Sequence, residues 1–132
     1  MAETPTLTSR VPYLFRGMYE WIVDNEQTPY VVANADFEGV SIPDGYAVDN
    51  RIIFNISHLA VEDLDMSNTA ITFAARFSGV AEQIYLPMRA ILGIYAKESG
   101  EGMIFASEQI EAEKEDKEPP PGGGKPNLHI VK

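Results

Sequence analysis

At 132 residues and 14.6 kDa the chain has material for one compact domain and not two, and 45% hydrophobic with 23% charged residues is ordinary for a soluble globular protein. A formal net charge of −10 sets it against phosphate backbones, which argues against unassisted DNA or RNA binding. With no cysteine and only two histidines, His58 and His129, there is no material for disulfides, thiolate zinc sites, cysteine nucleophiles or multi-histidine centres.

No apolar run approaches the roughly 20 residues of a membrane span. The opening MAETPTLTSR is polar and lacks the apolar stretch of a secretory signal, so a cytoplasmic protein is expected. Residues 12–26, PYLFRGMYEWIVDNE, read as a helix with Pro12 in its first turn. Leu14, Met18, Trp21 and Ile22 make one apolar stripe. Phe15, Tyr19 and Val23 make a second, turned by about 100°. A helix apolar on two faces is either wrapped by its own chain or shared with a second subunit.

Short β-like runs follow. Tyr30–Ala35 comes after the break at Pro29, and Val40–Ile42 is a brief apolar piece ended by Pro43. Arg51–Ser57 is rich in β-branched residues and is preceded by an Asp49-Asn50 turn. In Ala70–Phe77, Ile71, Phe73 and Ala75 alternate with Thr72, Ala74 and Arg76; Ser78-Gly79 turns the chain and Val80–Leu86 runs back, a hairpin signal. Pro87 is read as opening a second helix over Pro87–Ser99, with Ile91, Leu92 and Tyr95 as its stripe, ended by Gly100 and Gly102. Met103–Phe105 reads as a last edge strand. The expected fold is therefore small, mainly antiparallel β with helical additions, and not a βαβ arrangement.

The charge is uneven. Residues 1–107 carry −8, residues 108–124 carry −4 and residues 125–132 carry +2. After Ile110 the stretch EAEKEDKEPPPGGG has no large apolar residue with which to offset chain entropy, so residues 109–124 are expected to be a disordered linker. Apolar residues return in KPNLHIVK, which reads either as a frayed end or as a docking peptide on a tether. The expected organisation is a domain over 1–108, a linker over 109–124 and a peptide over 125–132.

Chemistry is sparse. There is no phosphate-binding glycine loop and no nucleophile elbow. Gly122 to Gly124 follow prolines rather than a strand. Glu62, Asp63 and Asp65 lack the ligand spacing of a calcium loop and read as a solvated acidic turn. Nothing sets a nucleophile beside a base, so neither a catalytic site nor a cofactor is expected. Arg76 stands out in an apolar hairpin strand, either facing water or lining a groove that takes an acidic ligand.

Longer patterns are more specific. RVPYLFRGMYEWIVDNEQTPYVV, the pair Gly39-Val40 with Ile42-Pro43 and Tyr46, the run from Ile52 to Ser57, Phe73 to Gly79, Ala90 to Phe105, and the tip GGGKPNLHIVK follow one another as in the stringent starvation protein B family, which the chain resembles. The resemblance covers nearly all of residues 10–106 and the last ten, broken by the acidic stretch. It implies a half-open barrel or sandwich related to SH3 and Sm folds, preceded by a helix that pairs two subunits. It implies a non-enzymatic adaptor that binds ssrA-type degradation tags on stalled translation products and tethers them to the ClpX unfoldase for ClpXP proteolysis.

On this resemblance the groove would be lined from one strand by Phe54, Asn55, Ile56, Ser57, His58 and Ala60. From the hairpin it would take Phe73, Ala74, Ala75, Arg76 and Phe77, with Arg76 meeting acidic tag residues. The dimer interface would use Leu14, Phe15, Met18, Tyr19 and Ile22. The N-terminal zinc-binding domain of ClpX would take Leu128, His129, Ile130, Val131 and Lys132. His129 departs from the arginine of the family pattern, and a histidine loses its charge near pH 6.5. The rival reading is an Sm-like RNA-binding regulator, against which the −8 of residues 1–107 weighs.

Overall fold

A computed structural model describes residues 8–105. The expected linker over 109–124 and peptide over 125–132 lie outside the described residues.

The chain opens with one helix, α1, over Val11–Asp24. Pro12 sits in its first turn, and the Ser9 hydroxyl accepts a hydrogen bond from the otherwise unpaired Val11 N–H at 3.1 Å. The helix stops two residues before the expected end. Gln27 N–H bonds back to the Ile22 carbonyl at 3.0 Å and Glu26 takes a left-handed φ of 61° to reverse the chain.

Seven strands follow: β1 Pro29–Asn34, β2 Arg51–Asn55, β3 Glu62–Met66, β4 Ala70–Phe77, β5 Val80–Pro87, β6 Ile91–Ala96 and β7 Gly102–Ile104. They form two antiparallel sheets, ordered β2-β1-β6-β7 and β3-β4-β5, which share one core and do not close into a barrel. The fold is thus mainly β with an N-terminal helix.

Two turns are set by local chemistry. Ser78 and Gly79 both have positive φ, 54° and 82°, which is the geometry a two-residue hairpin needs to match strand twist. Phe77 is accordingly paired with Val80 and Arg76 with Ala81. Asp49 and Asn50 do the same, at 54° and 65°, closing a Val48–Arg51 bridge at the start of β2.

The core is built by alternation. Val31 and Ala33 of β1, Ile52 and Phe54 of β2 and Ile94 of β6 meet Ile71, Phe73, Ile84 and Leu86 of the second sheet. α1 lies against β6 and β1, and its Val11, Phe15 and Ile22 enter the same cluster. Each such aliphatic or aromatic side chain contributes roughly 1.5–3 kcal/mol by leaving water.

Three expectations need correction. The second helix expected over Pro87–Ser99 is a single 3-10 turn, Met88–Ala90, followed by strand β6. β6 lies between β1 and β7, so both its backbone edges are paired and most of its residues are buried. A near-continuous apolar run is what such a central strand shows, and periodicity alone does not separate it from a short buried helix. The acidic segment Glu62–Met66 is not a turn but edge strand β3, paired to β4 with a bulge between Glu62 and Asp65 where Asp63 has φ 55°. Val40–Ile42 makes only one bridge, Ser41 to Tyr85.

The link between α1 and β1 is held to the β6–β7 turn. Thr28 gives its backbone N–H and its hydroxyl to the two Glu98 carboxylate oxygens at 2.7 and 2.6 Å, and Ser99 donates to Gln27 at 2.7 Å. These bonds, the Thr28 hydroxyl foremost, hold the exposed Glu98 carboxyl below its usual range.

Candidate functional site

Where the β4–β5 hairpin meets the segment leading into β3, the surface sinks into a cleft of about 290 Å³. The segment is shaped by its own polar atoms. Asn55 Oδ1 accepts the Ser57 N–H at 3.0 Å, and the Ser57 carbonyl then accepts from both Ala60 and Val61. This compact turn projects His58, Leu59 and Ala60 outward; all three are exposed, Leu59 to 87%.

Opposite them stand Ala74, Ala75 and Arg76 of β4 with Ala81 of β5. The cleft exists because alanines occupy positions 60, 74, 75 and 81, where larger side chains would fill it. Arg76 is exposed, and its Nη1 donates to the Gly79 carbonyl at 3.2 Å, which anchors the guanidinium beside the hairpin turn. Glu62 lines the opposite side. A groove floored by small side chains, with one cation and one carboxylate on its walls, suits an extended backbone carrying an acidic residue.

Of the residues expected in the groove, the structure brings together His58, Ala60, Ala74, Ala75 and Arg76. Asn55 and Ser57 shape the turn behind them. Phe54, Ile56 and Phe73 are buried at 6%, 0% and 0% exposure and belong to the core. Phe77 is half-buried, its ring edge-on to Tyr46 at 4.7 Å and to Phe54 at 6.0 Å. Leu59, Val61, Glu62 and Ala81 line the cleft but were not expected there. Ala81 was findable, because the two-residue turn at Ser78-Gly79 sets it across from Arg76. Nothing in the pattern marks Glu62, because the acidic composition of its segment reads as a solvated turn.

Of the residues expected at a dimer interface, Phe15 and Ile22 are buried within the chain, while Leu14, Met18 and Tyr19 are half-buried against the core. Burial raises the Tyr19 hydroxyl above its ordinary range. The most exposed apolar stripe of α1 is Tyr13, Gly17 and Trp21, with Tyr13 and Trp21 exposed to 53% and 50%. Arg16 lies over the Tyr13 ring at 4.9 Å and reaches the Met66 carbonyl at 3.3 Å, and Asn68 donates to the Tyr13 hydroxyl at 3.1 Å. The helix is thereby fastened to the β3–β4 turn.

Among the described residues, no group of three His, Asp or Glu side chains is arranged to hold a metal ion, and no helix is long and apolar enough to cross a membrane. A family model described as stringent starvation protein B matches residues 9–132. A relative from Haemophilus influenzae, described as a stringent starvation protein B homolog, is 46% identical over 99 residues, covering 75% of this chain and 66% of the relative's own length.

Proposed function

The chain belongs to the stringent starvation protein B family, an adaptor family rather than an enzyme family, and on that premise we propose that it is a cytoplasmic, non-enzymatic adaptor for the ClpXP protease. It binds ssrA-type degradation tags in the cleft beside Arg76 and presents them to ClpX through residues 125–132, with residues 109–124 as the tether. The observation that carries this reading is the family match, which spans residues 9–132 and so includes the C-terminal tip. The cleft supports it, since a cation over a floor of small side chains is a fitting receptor for an acidic extended peptide.

The deciding experiment titrates labelled ssrA peptide into the full chain, alone and with the ClpX N-terminal domain. A ternary complex supports the adaptor reading; a chain that binds neither component ends it. Arg76→Ala removes an exposed charge-assisted contact, and tag affinity by fluorescence anisotropy is expected to fall about tenfold with the fold intact. Unchanged affinity would remove Arg76 from the site.

We also place the homodimer contact on the outward face of α1, adding Tyr13 and Trp21 to the half-buried Leu14, Met18 and Tyr19. Gly17 lies between the two aromatics with open space above it, so a second helix can approach closely there. Trp21→Ala is expected to weaken dimerisation about tenfold or more by sedimentation equilibrium. A dimer of unchanged strength would move the interface elsewhere.

A further inference from the structure

The four-stranded sheet has a second face, turned away from the core, and its middle row is apolar, with the Asn34–Arg51 pair on one side of that row. In register across it run Ile53, Val32, Gly93 and Ile104. Beside them run Asn55, Tyr30, Tyr95 and Gly102, with the Tyr30 and Tyr95 rings edge-to-face at 5.6 Å. Val32 is 3% exposed while Ile53 and Ile104 at the two ends of its row remain 51% and 46% exposed, so the row is open to water at its margins.

Two glycines hollow this face. A side chain at Gly93 would meet the Met103 carbonyl at 3.0 Å, and one at Gly102 would run into the Ile94 carbonyl and Tyr95. Their bare backbones leave a depression of about 360 Å³, larger than the cleft beside Arg76 and walled by Val32, Tyr95, Met103 and Ile104. No described residue covers it.

Position and charge indicate what does. The described chain ends at Phe105, one residue beyond Ile104, so residues 106–132 set out from the rim of the depression. The turn between β6 and β7, beside it, carries the exposed Lys97, Glu98 and Glu101, one net negative charge. KPNLHIVK offers the complement: two lysines, and Leu128 and Ile130 at the spacing that shares one side of an extended strand. The dimer proposed above already assigns a second copy to the α1 face, which leaves this face to another occupant. We propose that residues 125–132 fold back onto this sheet face, with Leu128 and Ile130 in the depression over Gly93 and Gly102.

The contact need not be strong. The chain from 106 to 124 has an r.m.s. span of about 25 Å, which gives an effective concentration in the millimolar range. An intrinsic dissociation constant of about 1 mM then leaves the tip about half docked. Its consequence, and only that, rests on the adaptor reading: a docked tip is withheld from ClpX, and its apparent affinity is lowered about twofold.

The test compares 15N-labelled full chain with a Leu128→Ser, Ile130→Ser, Val131→Ser variant, whose changes lie outside the folded sheets. Fold-back predicts different amide signals at Val32, Gly93, Tyr95 and Ile104, the differences persisting on dilution. Identical signals at those four amides, or differences confined to other residues, overturn it. Differences that vanish on dilution assign the face to a second copy and also overturn it. Ile104→Glu in the otherwise native chain should reproduce the variant's signals at Val32, Gly93 and Tyr95 and raise affinity for the ClpX N-terminal domain about twofold. Persistent signal differences with no ClpX binding by the native chain would leave fold-back standing and remove the adaptor reading instead.

Discussion

Removal of residues 125–132 is expected to abolish delivery of ssrA-tagged substrate to ClpXP while leaving tag affinity unchanged. The cleft is assembled from β3, β4, β5 and the turn at Ser57–Ala60, all within the described residues, so its geometry owes nothing to the tip. On the adaptor reading proposed above, delivery would depend on the tip because a tether converts capture by the unfoldase from a bimolecular into an intramolecular event. As the flexible spacer of that reading, the 16 residues 109–124 would have an r.m.s. span of about 20–25 Å and reach at most about 55 Å. Such a chain holds the bound tag at an effective concentration in the millimolar range, far above what free diffusion of a dilute substrate provides. The loss is therefore expected to be about 10²-fold or greater in degradation rate at low substrate. Degradation of a tagged reporter by ClpXP, set beside peptide anisotropy, measures both quantities. Normal delivery by the truncated chain would end the tether model.

Phe73→Ala is expected to destabilise the domain by about 3–5 kcal/mol, the largest stability effect of any single change considered. Phe73 has 0% exposure, and its ring packs edge-to-face on Phe54 at 5.2 Å. It sits where the second sheet meets the first, so its removal opens a cavity that the sheets, each tied by backbone pairing, can only partly close. Chemical denaturation should show the midpoint falling with the m-value unchanged. A loss under about 1 kcal/mol would mean that the core repacks freely at this point. Arg76→Ala, three positions along the same strand, is expected to do the opposite: little change in midpoint and a clear loss of tag affinity. The pair separates the two faces of β4.

Much of this was legible from residues alone, and the reasons are local. α1 follows from apolar spacing and Pro12. The β4–β5 hairpin follows from alternation and from a Ser-Gly pair that accepts positive φ at both positions. The Asp49-Asn50 turn is the same case. Each of these is decided within a few residues, so sequence order and spatial order coincide.

The misread segments have partners distant in sequence. Ile91–Ala96 carries residues that suit a helix or a strand, and it became a strand because β1 and β7 were available to pair with it on both sides. Glu62–Met66 has the composition of a solvated turn, yet backbone pairing with β4 makes it an edge strand. The candidate cleft was half legible for the same reason. Alternation along β4 placed Arg76 on the side away from Phe73. The division of Phe54, Ile56 and Phe73 into the core, with His58, Ala60 and Ala81 at the cleft, required knowing which sheet lies across from which. By itself the sequence determined the family, the acidic balance, α1 and the turns, because these are properties of neighbours along the chain. The tertiary structure alone decided which apolar residues were buried, where the cleft opened and that a second hollow lies over Gly93 and Gly102, because each depends on surfaces meeting across long separations in sequence.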